Sequence, residues 1–431
     1  MYRIAPGCRL TGDIRVPGDK SISHRALMFG AIARGTTDVR NLLESEDCLA
    51  TLNALLALGA NIEKLGVGHY RIVGVEHLVS AGKPIDCGNS GTGMRLLSGL
   101  IVGQGISATL VGDDSLMGRP MKRISEPLRA QGAVVRTADN GCPPVIIEAG
   151  AVLRASTHEL AVASAQVKSA ILLAGLGAAG ATRVSEPAHS RDHTERMLQG
   201  FGVELAVDGL TVEVVGPQTL SACDVTVPAD PSSAAFFAVA AALAPGSDIT
   251  LLKVGMNPTR SGFVDVLERM GARIERLNAS TVGGEPVCDL RVRSGPLTNI
   301  DVPPNWVART IDEFPVLFVA AAMAKGVMRV RGARELRVKE TDRLAVTAAG
   351  LETLGVQCEL YDDGIDVHGG ALKGGHVHSG GDHRIAMAFA AAGTVAADVV
   401  TVEDTANVAT SFPNFAALAC SAGWQVDHVG D

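Results

Sequence analysis

Along this chain the apolar residues change period six times, and each change falls on a glycine. Before the glycine lies a run rich in Ala and Leu; after it, roughly every second residue is apolar. The glycines are Gly59, Gly132, Gly202, Gly271, Gly355 and Gly423. Each predicts a helix C-terminus followed by a strand, because a left-handed turn costs glycine no Cβ clash. Recurrence at near-constant spacing predicts an internal repeat, with one supersecondary unit per period.

Each unit opens on a polar cluster that runs into an apolar helix: KSISHRALMFGAIA, GTGMRLLSGLIV, SAQVKSAILLAGL, PSSAAFFAVAAAL, DEFPVLFVAAAMA and DHRIAMAFAAAG. A short strand is predicted after most of them, and a second polar cluster then opens the helix that ends at the glycine. At 431 residues the chain is too long for one growing core, so the repeats divide into two domains of three. Apolar residues make up 47% of the chain but aromatics only 3%, so cores built from Ala, Val, Leu, Ile and Gly must let helices approach closely.

Charged and hydroxyl residues therefore collect where helices start. A helix N-terminus presents unpaired N–H groups and about half a positive charge, which suits phosphate or carboxylate. Ser, Thr and Asp at such positions are also ordinary caps. Cations are not, since they oppose the dipole. Yet Lys20, Arg25, Arg95, Arg119, Lys168, Arg191, Arg260, Lys339, Arg343 and Arg384 all fall in or near first turns. A shared anionic ligand is the expected compensation.

A net charge of −8 argues against a nucleic-acid surface. No apolar run reaches the ~20 residues of a membrane span and the N-terminal stretch lacks a signal-peptide core, so a cytoplasmic protein is expected. The eight cysteines show no CxxC or Cys/His ligand spacing, which predicts reduced, mostly buried thiols and no metal. His24, His193 and His383 stand in no Ser-His-Asp or metal-type pattern and are expected to play structural or supporting roles. Without heptads or an exposed apolar repeat, a monomer is the default.

Nine segments carry a resemblance: PGDKSISHR (17–25), GNSGTGMR (88–95), GRP (118–120), SAQVKSA (164–170), RDHTE (191–195), NPTR (257–260), DEFPV (312–316), RVKETDRL (337–344) and GDHRIAMAF (381–389). In this order they resemble the 5-enolpyruvylshikimate-3-phosphate synthase family, over essentially the whole chain. The resemblance implies an α/β fold of two similar domains, each of three βαβαββ-type units around buried helices, with an active site in the interdomain cleft. It implies domains at 18–227 and at 1–17 plus 228–431, with hinge segments near 16–19 and 227–231. The implied reaction transfers the enolpyruvyl group of phosphoenolpyruvate to the 5-hydroxyl of shikimate 3-phosphate. It releases phosphate by addition and elimination through a tetrahedral intermediate, with no cofactor.

Matched position by position, Asp312 is the implied base for the 5-hydroxyl, Glu340 the carrier of the C3 proton, and Lys20 a contact to both substrates that assists proton transfer. Asp312 also reads as the N-cap of the helix beginning EFPVLF. Phosphoenolpyruvate falls to Lys20, Gly91, Arg119, Gln166, Arg343 and Arg384, guanidinium forks suiting its charges. Shikimate 3-phosphate falls to Lys20, Ser21, Arg25, Ser164, Ala165, Gln166, Arg191, Asp312 and Lys339. Gly91 leaves room for the inhibitor glyphosate. Where many members carry a lysine on phosphoenolpyruvate, this chain has Ala409, Thr410 and Ser411 before Phe412 and Pro413. With SAQVK, RDHTE and NPTR, that departure resembles the second of two family subgroups. The sister transferase acting on UDP-N-acetylglucosamine is disfavoured because GDDSLMGRP (112–120) lacks its loop cysteine. A non-catalytic anion-binding homologue is disfavoured by the presence of Asp312, Glu340 and Lys20 together.

Overall fold

A computed structural model describes residues 1–428. The chain separates into two compact units, one of Gly18–Val227 with Val282–Glu285, the other of Met1–Pro17, Pro228–Thr281 and the residues from Pro286 onward.

In the first unit the helices Lys20–Ile32, Gly91–Gly103 and Ala165–Gly175 are buried along almost their whole length. Each belongs to a βαβαββ repeat whose strands form one four-stranded sheet. In the middle repeat Ile85–Asp86 runs parallel to Ala108–Val111, which pairs antiparallel with Val145–Glu148, itself antiparallel to Val134–Arg136. The third repeat copies this order from Arg154 to Gly216. The first takes its parallel edge strand from the far end of the unit, where Val225–Thr226 lies beside Thr36–Arg40.

The second unit repeats the scheme around Pro231–Leu243, Phe314–Met323 and His383–Gly393. Two of its strands come from the chain start: Thr11–Ile14 runs parallel to Asp248–Gly255, and Tyr2–Ala5 lies between Val400–Glu403 and Gln425–His428. The middle sheet keeps three strands, its fourth being reduced to single bridges at Thr298↔Lys325 and Asp301↔Arg329. Pro296, Pro303 and Pro304 crowd that segment and remove ladder donors.

All six junction glycines adopt positive φ, between 80° and 101°, one residue past a helix C-cap, and a strand begins two or three residues later. The repeat is thus present as its periodicity predicts. Small residues bring helices together: a Cβ on Gly99 would lie 2.2 Å from the carbonyl oxygen of Ala170. The few aromatics concentrate in the second unit, where Phe237, Phe412, Phe415 and Trp424 pack with ring centroids 5.4–6.1 Å apart. All eight cysteines are unpaired and five are buried. Among the described residues no helix is long and apolar enough to cross a membrane.

Gly99→Ala is expected to lower stability by about 2–3 kcal/mol, since backbone must move to admit the methyl. Gly200→Ala, at the end of His193–Gly200 with nothing within 4 Å of the added carbon, is the control. It should leave the thermal midpoint unchanged or raise it. Thermal unfolding of the two variants reads the difference.

Candidate active site

Asp19 caps the helix Lys20–Ile32, its Oδ1 accepting the Ile22 N–H at 2.9 Å. The entry is tight: a Cβ on Gly18 would lie 2.1 Å from the Asn41 carbonyl oxygen. Lys20, the first helical residue, donates to Asp47 at 2.8 Å. One turn on, Arg25 is 2% exposed. Its Nε donates to Thr194 Oγ1 at 2.7 Å, its Nη2 to Ser169 Oγ at 2.9 Å and its Nη1 to the Ser21 carbonyl at 2.9 Å. Burial pulls the pKa of Arg25 down to about 10, with the charges of Glu195 and Asp19 opposing and that of Arg191 assisting. Arg191 is therefore electrostatically coupled to Arg25, and the loop holding it leads into His193–Gly200.

Ser90 caps the next buried helix by accepting the Gly93 N–H at 2.9 Å. Gly91 follows it, and an added Cβ there would lie 3.3 Å from Arg95 Nη1 and 3.4 Å from Arg119 Nη1. Arg119 donates to Asn89 Oδ1 at 2.7 Å and Ser115 Oγ at 3.1 Å. Gln166 accepts from Arg95 Nη1 at 2.5 Å and donates to Thr92 Oγ1 at 2.8 Å. Gly91, Arg119 and Gln166 are thus gathered around Arg95, which the sequence marks only as one more cation at a helix start. Ser164 caps Ala165–Gly175, and its own N–H donates to Glu186 Oε1 at 2.9 Å. The first-turn N–H groups of Ala165 and Gln166 have no intrahelical acceptor and suit an anion.

Lys168 corrects the expectation of ligand compensation. Its ammonium sits 2.7 Å from both Glu186 and Glu195, all three side chains being 3–6% exposed. Arg260 behaves alike, donating to Asp230 at 3.1 Å and Ser232 Oγ at 2.7 Å. Protein carboxylates balance these cations. Asp192, His193 and Glu285 bring ligand-type atoms within 4.8 Å of one another. Arg196 already pairs with Asp192 at 2.8 Å, and His193 Nδ1 hydrogen-bonds Glu285 at 2.7 Å.

In the second unit Arg343 is the centre of a carboxylate cluster and 1% exposed. Its Nε donates to Asp382 at 2.8 Å, its Nη1 to Asp312 at 3.2 Å and its Nη2 to Glu340. Burial disfavours the guanidinium charge, but Asp382, Glu340 and Asp312 outweigh it and push the pKa well above the ordinary arginine value. Lys339 lies 3.8 Å from Asp312, and Arg384 donates to the Asp312 carbonyl at 3.0 Å. Asp312 is not the helix cap: the helix starts at Phe314, so Glu313 holds the cap position, and its carboxylate accepts from Ser232 instead. Pro315 within the first turn sets that start. The segment lacking the lysine forms the turn Ala406–Thr410, with Asn407 donating to the Gly381 carbonyl at 2.6 Å beside Asp382. Asp47, Asn89, Glu186 and Asp382 escaped the sequence reading as site residues. Only Asp382 had a local signal, the position before the helix in GDHR.

A family model described as EPSP synthase (3-phosphoshikimate 1-carboxyvinyltransferase) matches residues 4–418. The 3-phosphoshikimate 1-carboxyvinyltransferase of Methylococcus capsulatus is 52% identical, covering 99% of this chain and 98% of its own. That of Alkalilimnicola ehrlichii is 54% identical over 98% and 95%. A solved EPSP synthase from Acinetobacter baumannii matches with a TM-score of 0.90 and 46% identity, covering 99% of both chains. The enolpyruvyl transferase NikO of Streptomyces tendae matches with a TM-score of 0.79 at 19% identity over 99% and 98%, a likeness of fold.

His24 generates a pH prediction. It is fully buried with Nδ1 2.8 Å from Thr51 Oγ1, and burial first, then the charges of Lys20 and Arg25, pulls its pKa down to about 3. Between about pH 6.5 and 3 the unfolded chain binds a proton at His24 that the folded chain does not. Its contribution is therefore complete above pH 6.5 and drains as pH falls, at about 1.4 kcal/mol per unit. Denaturant titrations from pH 7 to 4 should show a shallower loss for His24→Gln than for the parent chain.

Proposed function

The chain belongs to the EPSP synthase (3-phosphoshikimate 1-carboxyvinyltransferase) family, and from that premise we propose which of its residues carry the chemistry. The reaction joins shikimate 3-phosphate and phosphoenolpyruvate and releases phosphate, a step of aromatic amino-acid biosynthesis. The 5-hydroxyl must lose a proton as it attacks C2 of the enol, C3 must gain one, and elimination must remove a C3 proton as phosphate leaves. In our reading Asp312 takes the hydroxyl proton and Glu340 handles C3, with Lys20 assisting.

The observation that carries this reading is that one buried guanidinium, Arg343, hydrogen-bonds both Asp312 and Glu340. Two carboxylates held on one buried donor are restrained in position, which supports acid and base roles that need fixed geometry. Asp382 anchors the guanidinium from the other side. Arg119, Arg343, Arg384, Gly91, Gln166 and Lys20 are assigned to phosphoenolpyruvate. Ser21, Arg25, Ser164, Ala165, Gln166, Arg191, Lys339, Lys20 and Asp312 are assigned to shikimate 3-phosphate. Preorganised donors of this kind stabilise charge that develops in the transition state. We further propose a cytoplasmic monomer with hinge segments near 16–19 and 227–231. The unpaired thiols support a reducing location.

The test is phosphate release from phosphoenolpyruvate with shikimate 3-phosphate, with UDP-N-acetylglucosamine as the competing acceptor and no added metal or nucleotide. Release is expected only with shikimate 3-phosphate; release only with the UDP-sugar would overturn the reading. Asp312→Asn should lower kcat about 10²- to 10⁴-fold, the worth of a positioned base, with KM values moving far less. Glyphosate should inhibit the parent enzyme competitively with phosphoenolpyruvate. Gly91→Ala should raise its inhibition constant, because the methyl enters the space beside Arg95 and Arg119. An unchanged constant would remove the steric argument.

A further inference from the structure

We infer that Glu186, held in place by Lys168, is a positioning residue that sets two separate shikimate 3-phosphate contacts in register; this rests on the assignment of Ser164, Ala165 and Arg191 to that ligand. Glu186 lies just past the strand Ala179–Ser185 and is assigned to neither substrate. Its Oε1 accepts the N–H of Ser164, the cap of Ala165–Gly175, at 2.9 Å. Its Oε2 accepts the hydroxyl of Ser190, the residue before Arg191, at 2.7 Å, and pairs with Lys168 at 2.7 Å. One carboxylate thus touches both segments that hold these proposed contacts to the ligand.

Stability alone does not account for this arrangement. Lys168 is the fourth residue of its helix, where the dipole opposes a cation, and it is buried besides. Buried ion pairs are commonly replaceable by apolar residues of like volume without loss of stability. What an apolar pair cannot do is accept the Ser164 N–H and the Ser190 hydroxyl together. Lys168, pinned by Glu195 on its other side at 2.7 Å, keeps Glu186 from turning toward solvent. The network continues through the neighbouring residues: Ser169 and Thr194, adjacent to Lys168 and Glu195 in sequence, share a hydrogen bond of 2.6 Å and both accept from Arg25.

Glu186→Asp separates positioning from charge, since it keeps a carboxylate beside Lys168 while shortening its reach by one methylene. It should raise KM for shikimate 3-phosphate about tenfold, as expected for a misplacement below 1 Å, while kcat and KM for phosphoenolpyruvate stay within about twofold. Ser190→Ala removes only the hydroxyl and should raise the same KM about threefold in a normally folded protein. Unchanged KM values in both variants, or a parallel rise for both substrates with a fall in thermal midpoint, overturn the inference alone. Parent enzyme without shikimate 3-phosphate-dependent phosphate release overturns the functional reading and this inference with it.

Discussion

A cation at the start of a buried helix is opposed twice, by the positive end of the dipole and by the loss of water, and here several such cations are held beside carboxylates. Lys20 has Asp47; Lys168 has Glu186 and Glu195; Arg260 has Asp230; Arg343 has Asp312, Glu340 and Asp382. Most of these partners come from another element. Asp47 stands on Glu46–Ala57, Glu186 follows the strand Ala179–Ser185, and Asp382 precedes His383–Gly393. Charge balance therefore ties each helix start to a neighbouring segment. Removing Lys168 would leave Glu186 and Glu195 buried without their cation, a cost of about 3–5 kcal/mol.

The low aromatic content is the other half of the same design. Helices that touch through Gly99 and Ala170, or through Gly103 and Leu173, bring backbone against backbone and leave little freedom to slide. Their N-termini are then held as firmly as their bodies. Backbone N–H donors stabilise developing charge only if they need no reorganisation when the reaction occurs. A core of larger side chains would space the helices further apart and loosen the ends that carry Gly91, Ser164 and Ala165.

What could be read from sequence was local. The glycine junctions follow from one residue's conformational freedom and a change of period within ten residues, and all six stand where expected. The segments that carry the family resemblance are short and lie mostly at helix starts, so Lys20, Gly91, Ser164, Arg343 and their neighbours could be proposed as site residues from it. Long-range pairings could not. Nothing in Val225–Thr226 announces a partner at Thr36–Arg40, nor in Tyr2–Ala5 a place between Val400–Glu403 and Gln425–His428. The same distance hid Glu186 and Asp47. The misassigned cap at Asp312 has a different cause: two adjacent acids precede Phe314, and the second, Glu313, takes the cap position while its carboxylate accepts from Ser232, 81 residues away, rather than from the helix N–H groups.

The two clusters, one in each unit, differ in how their cations are held. Around Arg343, the cations Lys339, Arg343 and Arg384 face the carboxylates Asp312, Glu313, Glu340 and Asp382, so the cluster is formally acidic. Such a cluster cannot attract a trianion by net charge; its arginines must contribute through directed N–H groups, and its surplus of carboxylates suits proton transfer. In the Gly18–Val227 unit Lys20 and Lys168 lie beside carboxylates, Arg25, Arg95 and Arg119 hydrogen-bond hydroxyl, amide and carbonyl oxygens, and three capped helix N-termini add positive potential. In the assignment proposed above, directed N–H groups for the anionic substrates come from both units, and the two acid–base carboxylates come from the second.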